Sequence, residues 1–327
     1  MEMPNPFTRL GTRPPIWREG RLGLELAALL TDPVHRGEGL RDGRGQPVLL
    51  IPGFLTGDGS LAILTQWLRR GGYHTRKAGI RLNVGCSGEI LERLEERLEG
   101  LVELADGRRA AIIGQSRGGA LAKVLARRRP DLTCGVVTLG TPLVEPLAVH
   151  PLVALQLLAV GALGSLGAPG LFRRACLEGE CCADFWRHAA EPPPRGVRFV
   201  SVYSRSDGVV DWRSCLCPHS ELVEVDASHI GMAFNAEAYR AVAGALNELT
   251  RREARRLARR NASAARREAS AAPREALAAL RQGSANGAGR RAGLSGTRAQ
   301  ASVTSTAAPR TAPARRRASA SLASSSG

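Results

Sequence analysis

Lysine is nearly missing from this chain. Of 46 basic side chains only Lys77 and Lys123 are lysines, so the basic character is arginine and reads as a compositional bias rather than a binding code. A basic surplus is also missing from most of the sequence. The net charge is +16, but residues 251–327 hold 17 Arg against 3 Glu, which leaves 29 basic and 27 acidic side chains in residues 1–250. A folded nucleic-acid surface concentrates its cations on the domain itself, so nucleic acid is not an expected partner. Residues 1–15 carry no apolar signal-peptide core, and the seven cysteines are odd in number and too few for a disulfide scaffold. The expected compartment is the reducing cytoplasm, with association with a membrane surface left open.

What is present is a rhythm. Between residues 47 and 249 short apolar runs alternate with helical patterns, the signature of a mostly parallel sheet flanked by helices. Strands are expected at 47–51 (PVLLI), 109–113, 134–139, 197–203 and 221–225. Helices are expected at 60–70, 87–104, 118–128 and 237–249; the second repeats Ile90, Leu91, Leu94, Leu98 and Leu101 at the 3.6-residue period. The organisation read from this is an N-terminal extension with a helix (1–45), an α/β domain (46–250) and a tail (251–327).

Two segments break the rhythm. Residues 143–195 form an insertion whose stretch 152–171 has Gln156 as its one strongly polar side chain. That length could span a bilayer, but Gly161, Gly164, Gly167, Pro169 and Gly170 and the absence of a basic flank on the N-terminal side favour a buried or cap helix instead. The tail is Arg, Ala and Ser with few large apolar residues after Leu280, so disorder is expected beyond a short helical extension. Truncation after Leu249 is then expected to leave activity intact. A polybasic arm for anionic lipid or nucleic acid is the functional alternative to a solvated extension.

Gly114, Gln115, Ser116, Arg117 and Gly118 match G-x-S-x-G. The pattern is weak by itself in a chain with 37 Gly, but here it follows an apolar strand and opens a helix, as a nucleophile elbow must. A serine on that sharp turn stands at a helix N-terminus, and only glycine beside it lets the turn pack against its neighbours. A hydroxyl needs a base, and the base an orienting acid, in the chain order Ser, Asp or Glu, His. His229 follows the expected strand 221–225 and so lies at the C-terminal edge of the sheet. His219 precedes that strand and falls at the opposite edge, while His150 and His188 lie in the insertion. Asp207 comes first after the strand 197–203, ahead of Asp211 and of Asp226. Gly53, after the first strand, permits close approach, so the N–H groups of Phe54 and Arg117 can form an oxyanion hole.

Taken together, the runs 50–54 (LIPGF), 113–119 (IGQSRGG), 137–142 (VTLGTP), 201–210 (SVYSRSDGVV) and 228–231 (SHIG) resemble the α/β-hydrolase lipases and esterases. The likeness is strongest to small bacterial triacylglycerol lipases and to GPI inositol-deacylase-like hydrolases. The resemblance implies the α/β-hydrolase fold, with Ser116 as nucleophile, Asp207 as acid, His229 as base, and Phe54 and Arg117 as oxyanion donors. Pro52 and Gln115 depart from it, standing where such lipases often carry His. The insertion is absent from the minimal lipases, so triglyceride specificity does not transfer.

The expected function is a serine hydrolase acting on a small-molecule or lipid ester, with no metal and no cofactor. An acyltransferase or thioesterase on the same triad is the alternative within enzymes; a non-catalytic membrane-surface protein is the alternative outside them. The Cys-x2-Cys knuckle of structural zinc is missing from the group Cys176, Cys181, Cys182, Cys215, Cys217 and His219. A disulfide from Cys176 or Cys181 to Cys215 and free thiols are the two alternatives for these cysteines. The oligomeric state is not legible.

Overall fold

A computed structural model describes residues 14–178 and 181–290, and of residues 178 and 268–290 the backbone alone. Six strands, β1 (Pro47–Ile51), β2 (His74–Lys77), β3 (Ala110–Gln115), β4 (Thr133–Leu139), β5 (Arg198–Tyr203) and β6 (Glu221–Glu224), form one sheet. All pairings are parallel, in the order β2-β1-β3-β4-β5-β6. The strands β1, β3 and β4 are buried at every position, which is why they read as unbroken apolar runs: helices cover both of their faces.

Before β1 stands α1 (Leu22–Thr31), followed later by α2 (Ala62–Arg70), α3 (Ser87–Glu103) and α4 (Arg117–Arg128). On one side of the sheet Leu29, Trp67, Tyr239 and Leu246 share a core. There the Trp67 and Tyr239 rings lie 4.7 Å apart and Trp67 Nε1 donates to the Val34 carbonyl at 2.7 Å. Leu91, Leu98, Leu125 and Phe199 form the core of the opposite side, built from α3 and α4.

The edge strand β2 has no counterpart among the expected strands. Its sequence, HTRK, buries only Thr75, so no apolar pattern marks it. It is a strand because it pairs with β1, from Pro47 opposite His74 to Leu50 opposite Lys77.

The insertion holds α5 (Pro151–Ser165), α6 (Arg174–Glu178) and α7 (Ala183–Ala190). Pro151 opens α5 beneath a His150 side-chain cap, and Gly164 lies so close to the Phe172 carbonyl that a Cβ there would collide. Gly167, at φ +94°, turns the chain away. Among the described residues no helix is long and apolar enough to cross a membrane. The outer face of α5 leaves Leu152, Leu155, Leu163 and Leu166 exposed.

Two compact units divide the chain, Met1–Ala264 and Ala265–Gly327. The first contains the sheet and both cores. The last described helix, α8 (Ala236–Arg290), does not end near residue 249 as expected. Glu253 is buried and holds Arg109 through its backbone N–H and its guanidinium, at 3.0 to 3.1 Å, so the body continues past residue 250. Of the second unit, residues 265–290 are described, and they are helical. The rest of the tail expected to be disordered, residues 291–327, lies outside the described residues.

Candidate active site

Ser116 stands between β3 and α4 at φ +52° and ψ −124°, a backbone that L residues rarely adopt. The neighbouring glycines explain how the turn fits. A Cβ at Gly114 would collide with the Gly118 carbonyl, one at Gly118 with the Ile51 carbonyl, and one at Gly119 with the Thr141 hydroxyl. The Ser116 N–H continues the sheet by donating to the Leu139 carbonyl at 2.8 Å. Its own carbonyl accepts from Gly119 N–H and from Thr141 Oγ1. Gly53 passes close to the elbow: a Cβ there would stand 3.3 Å from Ser116 Cβ. Phe54 follows it directly, and both Phe54 and Ser116 line one apolar cavity.

The loops after β5 and β6 bring Asp207 and His229 together. His229 Nδ1 lies 2.8 Å from Asp207 Oδ2, and both side chains are buried. The other carboxylate oxygen, Asp207 Oδ1, accepts from the N–H groups of Val209 and Val210 at 2.8 and 2.7 Å. Burial pulls the His229 imidazole downward, but the charge and hydrogen bond of Asp207, joined by the charge of Glu19, outweigh it and hold it above its ordinary value. A Cβ on Gly140, the residue after β4, would touch both His229 Nδ1 and Asp207 Oδ2, so the pair rests on the end of the strand beside β3. Gln115 ties the elbow to the same loop by donating to the His229 carbonyl at 3.2 Å.

The rivals go elsewhere. Asp211 caps the turn at Trp212 by accepting from Arg213 N–H at 3.0 Å. Asp226 is exposed and pairs with Arg21 at 3.2 Å. His219 is exposed ahead of β6, at the far edge of the sheet. The parallel strand order, a serine elbow after a central strand, and an acid and a histidine on the two following loops in the order Ser, Asp, His decide the architecture.

The chain has the α/β-hydrolase fold. Solved structures with this fold to which it is similar include a Bacillus licheniformis lipase, at 13% identity over 63% of this chain and 94% of that one, with a TM-score of 0.48. A soluble variant of monoglyceride lipase from Saccharomyces cerevisiae is 13% identical over 64% of this chain and 87% of that one, at 0.46. A thioesterase domain from the curacin biosynthetic pathway is 15% identical over 63% and 92%, at 0.40. Neither a family model nor a curated protein matches the chain.

Within this hydrolase fold the N-terminal extension contributes two carboxylates that the sequence did not single out. Glu19 Oε1 accepts from the N–H of Gly208 at 3.0 Å and of His229 at 2.8 Å, and Oε2 from that of Ile230 at 2.9 Å. Glu25 is buried and accepts from Ser228 N–H and Oγ at 2.7 and 2.6 Å. The loops that carry Asp207 and His229 are thus held by one segment.

The insertion roofs the cavity. Leu143, Leu157, Phe172 and Trp186 line it opposite Ser116 and Phe54. Arg117 reaches under the roof: its guanidinium is buried, donates to Asn83 O and Oδ1, Gly85 O and Ser87 Oγ, and lies against the Phe172 ring. Burial pushes it down to about 10, still charged at neutral pH.

The cysteines do not follow the expected grouping. All seven are free, so no disulfide joins Cys176 or Cys181 to Cys215. Cys215 is buried, its carbonyl accepting from Ser201 Oγ, and Cys217 lies near Lys123. Cys86, far from the others along the chain, joins Cys176, Cys181 and Cys182 instead.

Proposed function

We propose that the protein is a serine hydrolase of carboxylic esters with an apolar acyl group. The observation that carries the reading is the buried Asp207–His229 pair, joined at 2.8 Å, whose loop is bonded to Gln115, the residue before the strained Ser116. In this mechanism Ser116 Oγ attacks the ester carbonyl while His229 Nε2 takes its proton, with Asp207 holding the ring and stabilising the imidazolium. The N–H groups of Phe54 and Arg117 receive the oxyanion. His229 returns the proton to the leaving alcohol, and water, activated by the same imidazole, releases the acid.

An acyl chain suits the cavity because its walls are Leu, Phe and Trp, which bind what water rejects. The exposed leucines of α5 support contact with a lipid surface. The test is labelling with a fluorophosphonate probe followed by a panel of p-nitrophenyl esters. The wild type is expected to be labelled once and Ser116→Ala not at all, with hydrolysis favouring longer acyl chains over acetate. Undiminished labelling of Ser116→Ala would move the nucleophile; vesicle binding without turnover would replace the enzyme by a membrane-surface protein.

A further inference from the structure

We propose that Cys86, Cys176, Cys181 and Cys182 bind one zinc ion, which fastens the cap to the body of the enzyme. The four sulfurs lie within 4.8 Å of one another. Cys86 and Cys182 are 3.4 Å apart, Cys181 and Cys182 3.6 Å, and Cys176 and Cys181 2.9 Å. Four sulfurs placed about 2.3 Å from a central ion in a tetrahedron stand about 3.8 Å apart, whereas a disulfide brings two sulfurs to about 2.05 Å. These three separations all exceed the disulfide one and fall at or somewhat below the tetrahedral one, and no pair of the four sulfurs is more than 4.8 Å apart. They are also too close for a cluster of several irons, so a single tetrahedral thiophilic ion fits.

The surroundings suit a thiolate cage. Cys86 stands at the N-terminus of α3, where the aligned peptide dipoles favour negative charge. Four thiolates around a divalent cation leave two net negative charges, which a buried site must balance. Arg117 answers that charge. Its guanidinium bonds the residues on either side of Cys86, Gly85 and Ser87, and every acceptor it has there is neutral. A buried cation with only neutral acceptors is costly, and a nearby anionic cage accounts for it. Cys176 and Cys182 are buried while Cys181 is exposed, so the ion has a route in from solvent.

The site joins three separate elements: the start of α3, the helix α6, and the turn before α7. Zinc entry would displace four thiol protons to solvent and link the cap covalently to the body, with Arg117 connecting the cage to the elbow. The knuckle spacing is absent because the first ligand comes from ninety residues earlier and two others are adjacent in sequence.

The test is the metal content of the full-length protein after dialysis against metal-free buffer. About one zinc per chain is expected. Cys86→Ser and Cys181→Ser should lose it, while Cys134→Ser, altering a buried thiol in β4, should keep it. Cobalt added to chelator-treated protein should give the intense thiolate charge-transfer absorption and the visible bands of a tetrahedral site. Chelation should lower the melting temperature of the wild type by about 5 °C or more, but not that of Cys181→Ser. A wild type without bound metal overturns the proposal, whether alkylation finds the four thiols free or paired as two disulfides; metal retained in both serine variants overturns it equally.

Discussion

The carboxylate of Glu19 accepts the backbone N–H of His229 at 2.8 Å and, through the same oxygen, that of Gly208 at 3.0 Å. One side chain from the N-terminal segment therefore ties the loop of His229 to the loop that carries Asp207. Because hydrogen bonds to a charged group contribute about 2 kcal/mol each, Glu19→Ala should lower kcat/KM about tenfold or more. Glu19→Gln keeps an acceptor for the shared bonds and should recover most of the loss. Equal kcat/KM for wild type and Glu19→Ala would remove Glu19 from the positioning of His229.

The pH profile tests the Asp207–His229 pair. The imidazole is held above its ordinary value of about 6.5 and works as a base only when neutral, so kcat/KM should rise with pH and level off on the alkaline side of that value. Asp207→Asn removes the main group raising it, which should shift the inflection to lower pH and reduce kcat on the order of 10⁴-fold. Stability carries the opposite sign. A raised folded-state value favours the protonated form, so the contribution is complete below the unfolded value and fades as pH climbs through the folded one. Thermal melts of Ser116→Ala across this range, with and without Asp207→Asn, separate the two effects.

The two glycines at the elbow should respond differently. A Cβ at Gly118 would strike the Ile51 carbonyl, a backbone atom in a central strand, so Gly118→Ala should fail to give soluble folded protein. A Cβ at Gly53 meets Ser116 Cβ at 3.3 Å, a contact that a small shift relieves. Gly53→Ala should therefore fold and melt near the wild type while losing kcat through a displaced Phe54 N–H. Circular dichroism and the ester assay on both variants check this, and a fully active Gly53→Ala would argue against that N–H as an oxyanion donor.

Much of the frame was legible because burial leaves a pattern. The strands β1, β3 and β4 are apolar throughout, and the elbow, Asp207 and His229 follow strands that can be read in order. The polar edge strand β2 leaves none, since its partner β1 makes it a strand. Glu19 and Glu25 were invisible for a related reason: in sequence a carboxylate that accepts backbone N–H groups looks like one facing water. The cysteine group was misread because Cys86 reaches it only through folding.

The boundary at residue 250 gives a fourth prediction. Glu253 is fully buried against Arg109, and removing one partner of such a pair costs about 3 kcal/mol. A chain ending after Leu249 should melt well below the full-length protein, as should Glu253→Ala, while one ending after Ala264 should match it. Scanning calorimetry of the three decides; a stable chain ending at Leu249 would release α8 beyond that point from the body.

The short antiparallel bridge between Val149 and Val210, flanked by the His150 N–H to Val209 carbonyl bond of 2.7 Å, sews the root of the cap to the residues just past Asp207. An insertion moored there cannot lift at its root without pulling on the strand of chain that holds Asp207 against His229.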